Sequence, residues 1–359
     1  YEIPKRDWSS DVCSSDLLVL AVATSVMAQR GGGPGPGPGS GLPTPYSGAL
    51  IDTHAHIVAY RSLLGGSIDY RVDSRDGVTS LTSDTYVASL DRNKVACVVG
   101  FHGIAFDQRR EELQASAQRL HDRNPGRFIL FAEIFRDNPL AWFDAGAIND
   151  VIDDRLYRGF GEIQFANPPL GDDEGNPVVL PNDERFLRLY DALGSRRVFV
   201  MAHPASREGL EEALDRNPNL TWLVHGPQTH SRWTRFDELG RLLDAHPNMY
   251  YTVDFSESTP DFIALTKTFA VSSLDQFLSS MNANSSQYLQ HMVAHWKAPI
   301  EAHPDRFLWG TDMALPMWQW DPRVLDTIGT FVRSFIGRLD PAAADAFAHG
   351  NAQRLFGEC

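Results

Sequence analysis

The chain has 359 residues, of which 43% are hydrophobic and 22% charged, which is the composition of a globular protein with a sizeable core. Its net charge of −14 argues against a nucleic-acid or anionic-membrane partner, because phosphate-rich partners attract basic proteins. The cysteines are Cys13, Cys97 and Cys359. Their number and spacing suggest neither a disulfide framework nor a zinc–thiolate site.

We expect the first 45 residues to lie outside the folded domain. Residues 1–16 have no helix or strand period and resemble translated adapter sequence, so residues 1–28 combine an artefactual start with the apolar run 17–28. That run is typical of a secretory signal peptide, although a buried strand or helix is the alternative, and it is too short to span a membrane. It predicts a periplasmic or secreted protein. Residues 29–45 are rich in Gly and Pro and predict a flexible linker.

From residue 46 onward, apolar segments with strand character alternate with amphipathic helical segments. Eight strands are predicted, at residues 49–54, 95–101, 128–134, 159–165, 198–203, 220–225, 249–255 and 307–312. Their near-continuous apolar character suits parallel strands that are buried on both faces. Eightfold alternation predicts an α/β fold, a (β/α)8 TIM barrel over residues 46–359. A doubly wound sheet is the alternative, but no Gly-x-Gly-x-x-Gly loop follows the first strand.

Long insertions are predicted after the first and the seventh strand, at residues 57–83 and 256–303. The second includes a helical stretch at 274–302. Insertions after barrel strands lie at the face that carries the active site, so both are candidates for a substrate cover. Arg61, Arg71 and Arg75 of the first insertion could bind a substrate carboxylate, although a solvated loop is the simpler interpretation.

Residue types that bind metals occur at the ends of several predicted strands. They are His54 and His56 after the first strand, Glu162 in the fourth, His203 after the fifth, His225 after the sixth and Asp312 after the eighth. The carboxyl ends of parallel barrel strands meet at one mouth, so we expect these six side chains to converge. Each alone could be a core histidine, a salt-bridge partner or a helix cap. Together they favour a metal site, because buried carboxylates and imidazoles need partners.

The order of these residues resembles that of the amidohydrolase superfamily of metal-dependent hydrolases. The matching features are His54-x-His56, one histidine after each of the fifth and sixth strands, and Gly310-Thr311-Asp312. The segment Gly350-Asn351-Ala352-Gln353-Arg354-Leu355-Phe356 resembles the terminal helix of the amidohydrolase-related branch. Position 162 departs from the family pattern, because many members carry a carboxylated lysine where this chain has Glu162. Members with glutamate there, such as the TatD-like nucleases, use it as a bridging ligand.

The resemblance implies a metal-dependent hydrolase that acts on an ester, lactone, amide or related bond of a small organic substrate. It implies one ion held by His54, His56 and Asp312, a second held by His203 and His225, and Glu162 as a bridge. Nitrogen and oxygen ligands suit Zn²⁺, with Mn²⁺, Fe²⁺ and Co²⁺ as alternatives. Asp312 is the expected proton carrier. Asp52 shares a strand face with His54 and His56 and is expected to hold a ligating histidine.

The same branch includes decarboxylases of aromatic or unsaturated acids, which typically use one ion and leave the sixth-strand histidine, here His225, for the substrate. This is the alternative function. A binding protein that kept the barrel is a third option, and homo-oligomer formation stays open. Further pocket candidates are His102, Glu133, Trp318 and Trp320, whereas His230 is interpreted as a surface residue and His291 and His295 as helix-face residues.

Overall fold

The computed structural model describes residues 44–57, 70–74, 77–104, 110–134, 156–165, 179–196, 198–204, 207–225, 236–255, 274–313 and 320–357. Residues 44–359 form one compact unit. Residues 1–43, with the predicted signal-peptide-like segment and most of the linker, lie outside the described residues, so those predictions stay open. None of the helices in the described segments is long and apolar enough to cross a bilayer.

Eight parallel strands form a single sheet in which the order in space follows the order in the chain. The described residues contain ten strands in all, which are β1 (Leu50–Ala55), β2 (Tyr70–Ser74), β3 (Gly77–Leu81), β4 (Val95–Ile104), β5 (Phe128–Ile134), β6 (Tyr157–Gln164), β7 (Phe199–His203), β8 (Thr221–Val224), β9 (Met249–Asp254) and β10 (Phe307–Gly310). The sheet order is β1-β4-β5-β6-β7-β8-β9-β10, and β2 and β3 form a separate antiparallel hairpin inside the first insertion.

Helices connect the strands of the sheet. They are α1 (Ser83–Arg92), α2 (Arg110–Arg123), α3 (Glu184–Gly194), α4 (Leu210–Arg216), α5 (Phe236–Ala245), α6 (Leu274–Ala302), α7 (Pro322–Ile336), α8 (Pro341–Asp345) and α9 (Asn351–Phe356), with a π-helical turn at Ala346–Gly350. Among the described segments, every sheet strand except β5 leads into a helix before the next strand. Parallel strands need such crossovers, and this repeated unit is the one that the sequence predicts.

Polar side chains set where the helices begin. Thr82 caps α1 by accepting a hydrogen bond from the Thr85 backbone nitrogen at 3.0 Å. Asp183 caps α3 and Asp321 caps α7 in the same way, each accepting from a backbone nitrogen two residues later. Such caps satisfy backbone donors that the first turn leaves unpaired, and each typically contributes about 1 kcal/mol.

The first and last strands of the sheet meet and nearly close the barrel. Asp312 donates its backbone N–H to the carbonyl of His54 at 2.9 Å, and His56 donates to the carbonyl of Met313 at 2.8 Å. Ala55 and Met313 form a parallel bridge. The prediction of a (β/α)8 barrel is therefore confirmed, and closure occurs next to three of the predicted metal ligands.

Neighbouring residues of several strands pack into two separate apolar clusters. Val98 belongs to the large cluster between strands and helices, whereas Val99 belongs to a smaller cluster inside the barrel. The inner cluster consists of Ile51, Cys97, Val99, Phe101, Ile129, Phe131, Phe199, Met201, Leu223, Leu308, Ala352 and Phe356. The residues from α9 reach this cluster, so the terminal helix packs on the barrel interior. Burying one such aromatic side chain contributes about 1.5–3 kcal/mol.

One cysteine forms a disulfide that the sequence does not indicate. Cys97 is disulfide-bonded, although cysteine number and spacing suggested no disulfide framework. Its partner lies outside the described residues. Cys97 points into the inner cluster with no exposed surface. A single bond between distant positions leaves no spacing pattern, so the sequence alone did not indicate it.

Candidate metal centre

All six predicted ligands come together at the carboxyl ends of the strands. His54 lies on β1 and His56 follows it, Glu162 lies on β6, His203 ends β7, His225 follows β8, and Asp312 follows β10. Their ligand atoms fall into two groups, each with its atoms within 4.8 Å of one another, and all of these residues except Asp312 are buried.

The first group joins His54, His56 and Asp312. The Nε2 atoms of His54 and His56 lie 3.2 Å apart. Oδ1 of Asp312 lies 3.4 Å from each of them. Asp312 adopts a left-handed backbone conformation with φ of 51°, which aspartate tolerates better than most residues. This turn aims the carboxylate back at the two imidazoles.

The second group joins Glu162, His203 and His225. Oε1 of Glu162 lies 2.7 Å from Nδ1 of His203 and 2.9 Å from Nε2 of His225. The two imidazole rings stack with centroids 4.5 Å apart. Adjacent parallel strands β7 and β8 place both histidines at the same height.

Glu162 reaches both groups with different oxygens. Oε2 lies 3.3 Å from Nε2 of His56 and 3.9 Å from Nε2 of His54, while Oε1 faces the other group. Gln164 also donates a hydrogen bond to Oε2 at 2.9 Å. This is the arrangement expected of a bridging carboxylate.

The backbone before Glu162 requires a glycine. Gly161 has φ of +138°, a conformation that residues with side chains rarely adopt. A Cβ there would lie 2.4 Å from the carbonyl oxygen of Met201. The pairing of β6 with β7 shifts register between Phe160 and Ile163, both of which belong to the outer cluster. The irregular stretch between them directs the Glu162 carboxylate to the centre.

Two further carboxylates contact the Nδ1 atoms of three of these imidazoles. Glu133, at the end of β5, has both oxygens 3.1 Å from Nδ1 of His56. Asp254, the last residue of β9, lies 3.2 Å from Nδ1 of His54 and 2.6 Å from Nδ1 of His225. Glu133 is among the pocket candidates that the sequence predicts, whereas Asp254 is not. The strand-end rule that selects Asp312 would also select Asp254.

The expected role of Asp52 is wrong. Its carboxylate accepts hydrogen bonds from the backbone nitrogen of His54 at 3.1 Å, and from the backbone nitrogen and hydroxyl of Thr311 at 2.9 and 2.7 Å. The register of β1 shifts between Asp52 and Ala55, so strict alternation of faces fails there. Asp52 therefore joins the first strand to the last and does not hold an imidazole.

Electrostatics favour two buried anions in the centre. Burial acts to raise the pKa of Glu162, but the charges of the neighbouring His225 and His203 outweigh it, and the pKa lies well below its usual range. For Asp254 the effect of burial is likewise outweighed by His54 and His225, so its pKa is also low. Burial and the neighbouring His225 lower the pKa of His203.

These residues fit a divalent metal. Nδ1 of His203 and Nε2 of His225 are buried and make no hydrogen bond of acceptable geometry, although Glu162 is near. Buried polar atoms without partners are rare and call for an explanation such as an ion. Imidazole and carboxylate ligands without thiolate are the donor set that Zn²⁺, Mn²⁺ and related ions accept.

Other candidates lie elsewhere or outside the described residues. His102 follows Phe101 on β4, and since Phe101 faces the barrel interior, His102 faces the outer layer, with its ring 6.4 Å from Tyr157. Trp320 packs edge-on against Tyr86 of α1. His291 is exposed on α6, and His295 contacts Trp296. The side chains of Arg61, Arg71, Arg75, His230 and Trp318 are outside the described residues.

Comparison with known proteins places this geometry in context. An amidohydrolase family model matches residues 51–357. No curated protein matches the chain. Similar solved structures include an apo protein from Agrobacterium tumefaciens, with 15% identity, TM-score 0.50 and coverage of 87% of this chain and 95% of that one.

Two further structures are similar at lower TM-scores. A dihydroxybenzoic acid decarboxylase from Polaromonas, with bound manganese and an inhibitor, has 14% identity, TM-score 0.48 and coverage of 87% and 97%. A probable 2-pyrone-4,6-dicarboxylic acid hydrolase from Acinetobacter baumannii has 13% identity, TM-score 0.48 and coverage of 86% and 99%. At such identity these likenesses concern the fold alone. The family model, however, covers most of the chain, and the protein belongs to the amidohydrolase family.

Proposed function

We propose that this protein is a metal-dependent hydrolase that cleaves an ester, lactone, amide or related bond of a small organic molecule. The observation that carries the proposal is the position of Glu162, whose two oxygens face two different groups of potential ligands. A carboxylate in this position suits a centre with two ions.

The ligand assignment follows from the two groups. His54, His56 and Asp312 would hold one ion, His203 and His225 would hold the other, and Glu162 would contact both. Zn²⁺ is the first candidate, with Mn²⁺, Fe²⁺ or Co²⁺ as alternatives. When bound, such ions supply Lewis-acid chemistry, acidifying water and polarising the bond to be cleaved.

Asp312 is the residue best placed to move a proton. Its side chain is 23% exposed, whereas those of Glu162 and His225 are 2% and 0% exposed. A carboxylate at the open side of the centre can take a proton from the attacking water and pass it to the leaving group. The buried ligands lack this access and serve to hold the centre together.

The decarboxylase alternative requires His225 to be free for the substrate. Instead, Nδ1 of His225 lies 2.6 Å from Asp254 and Nε2 lies 2.9 Å from Glu162, and the ring is fully buried. Nδ1 is therefore held by Asp254, and Nε2 points at the carboxylate that would bridge the ions, so His225 lies within the proposed ligand set. This favours hydrolysis over decarboxylation.

The metal content of Glu162→Gln tests the proposal. Wild-type protein should bind about two ions per chain and the variant one, because an amide is a poor bridge. Glu301→Gln is the matched control, since Glu301 lies on α6 and binds Lys297 and the Asp340 backbone. A panel of lactones, esters, amides and aromatic acids would then identify the reaction. Full hydrolysis by metal-free protein, or CO₂ release from an acid, would overturn it.

We also propose an exported protein, periplasmic or secreted. Two observations support this, the apolar run 17–28 and the disulfide at Cys97, since disulfides persist in oxidising compartments. Cell fractionation with thiol labelling under non-reducing conditions tests it. A cytosolic protein with a freely reactive Cys97 would contradict the proposal.

A further inference from the structure

Asp254 connects the two groups of ligands through a single buried carboxylate. It ends β9, which lies between β8 and β10 in the sheet, and it has no exposed surface. Oδ1 lies 3.2 Å from Nδ1 of His54, in the first group, and Oδ2 lies 2.6 Å from Nδ1 of His225, in the second. Each oxygen thus contacts one histidine, and the two histidines belong to different groups.

This contact determines which ring nitrogen carries a proton. An ionised carboxylate only accepts hydrogen bonds, so both imidazoles must present an Nδ1 proton to it. The Nε2 lone pairs are then available on the opposite side of each ring. There, Nε2 of His54 lies 3.4 Å from Asp312, and Nε2 of His225 lies 2.9 Å from Glu162.

We propose that Asp254 is a positioning residue shared by both halves of the metal centre, which fixes the tautomer and orientation of one ligand in each half. The inference rests on the proposed function, because it concerns how the metal ligands are held. It predicts that a substitution at Asp254 weakens the binding of both ions. A change at Glu133, which contacts His56 alone among the six predicted ligands, should weaken the binding of one ion.

The strand beside Asp254 leaves room for this contact. A Cβ on Gly310 would lie 2.7 Å from Oδ1 of Asp254 and 2.8 Å from Cβ of His54. Only glycine on the neighbouring strand allows Asp254 and His54 to meet at their present distance.

A rival interpretation is that Asp254 itself binds an ion with His54 and His225, since the three offer ligand atoms within 4.8 Å. The two faces of His225 differ, however. Nδ1 makes a well-formed hydrogen bond to Asp254, whereas Nε2 makes none to any group. The Nδ1 side is therefore a proton-bearing contact, and the Nε2 side is the one available to a metal.

Asp254→Asn tests the inference. An amide oxygen can accept from one histidine only, while its NH₂ group would force the other ring to carry its proton on Nε2, where the ion should bind. We expect the dissociation constants of both ions to rise by about 10- to 100-fold, the usual effect of losing such a partner. Glu133→Gln should affect one ion only. Cobalt titration followed by absorption spectroscopy measures the dissociation constants, and plasma spectrometry counts the bound ions.

A second measurement on the wild-type protein does not depend on the variants folding. NMR of ¹⁵N-histidine-labelled protein should show protected Nδ1 protons on His54 and His225, both with and without Zn²⁺. Loss of those protons on adding the ion would support the rival site and overturn the inference. An Asp254→Asn protein that binds both ions as tightly as the wild type does would also overturn it. If the wild-type protein binds no metal, the proposed function fails, and the Nδ1 protons alone decide the role of Asp254.

Discussion

Gly310 faces Asp254 so closely that a methyl group on its α-carbon would fall 2.7 Å from the Asp254 carboxylate. Gly310 is the first residue of the Gly310-Thr311-Asp312 segment, whose aspartate is a predicted metal ligand. The glycine therefore leaves space for the carboxylate that holds His54 and His225, while Asp312 approaches from the open side. One short segment positions both sides of the centre.

Gly310→Ala should weaken metal binding although it replaces none of the predicted ligands. The added methyl group displaces Asp254 and His54, and overpacking of this kind typically costs about 1–3 kcal/mol. We expect reduced ion content and a lower melting temperature, measured by plasma spectrometry and calorimetry. Gly240→Ala on α5 is the control, because its Cβ would meet only the end of the His303 side chain, at 3.1 Å. Equal ion affinity in Gly310→Ala and wild type would refute the prediction.

Gly161→Ala should reproduce much of the effect of Glu162→Gln. The left-handed backbone and the 2.4 Å approach to the Met201 carbonyl leave no room for a side chain, so the strand must move and carry Glu162 with it. Strain of this kind costs of the order of 1–3 kcal/mol. Urea unfolding and metal counts on the same sample measure both consequences. A variant with unchanged stability that still holds two ions would show that the backbone here is more tolerant than the geometry indicates.

Metal removal should destabilise the fold. The centre gathers the buried residues His54, His56, Glu162, His203 and His225, and an ion that binds only the folded state stabilises it. At free metal 100 times above the dissociation constant, the gain is about 2.7 kcal/mol. Adding a chelator should lower the melting temperature, and adding back Zn²⁺ or Mn²⁺ should restore it. A double variant, His203→Asn with His225→Asn, should respond less to the ions. A wild-type melting temperature that changes neither with chelator nor with added metal would contradict the presence of a bound ion.

The sequence predicts the barrel and the convergence of six side chains because both follow from periodicity. Apolar segments such as 95–99 indicate buried parallel strands, and the carboxyl ends of parallel strands must share one mouth. His203 and His225 are brought together for that reason alone. The helix at 274–302 is also correct to the residue.

What the sequence does not reveal depends on irregular backbone. Simple alternation places Asp52 on the side of His54, but a register shift in β1 turns it toward Thr311. The position of Asp254 at the end of a strand is visible in the sequence, but its two contacts depend on β9 lying between β8 and β10. The number and spacing of the cysteines likewise give no indication of the disulfide at Cys97. Each of these facts depends on which segments are neighbours in space.

We expect the buried His102 to make the folded state less stable in mild acid. Burial lowers its pKa to about 4, although the hydrogen bond from its Nδ1 to the Gly103 carbonyl acts in the opposite direction. In the unfolded chain the pKa is about 6.5, so between these values the unfolded state binds more protons and stability rises with pH. The contribution is complete above pH 6.5 and is lost as the pH falls toward 4. Between pH 7 and pH 5 the linkage amounts to about 2 kcal/mol.

His102→Asn removes the titration while its amide can still donate to the Gly103 carbonyl. Urea unfolding at pH 7 and pH 5 should therefore show a smaller loss of stability in the variant than in the wild type, whatever its absolute stability. His291→Asn is the matched control, because that histidine is exposed on α6 and its replacement should leave the acid dependence as it is. Since His102 faces the outer layer, the difference should persist with chelator present. Identical pH slopes in His102→Asn and wild type would mean that the buried imidazole accepts a proton without cost to the fold.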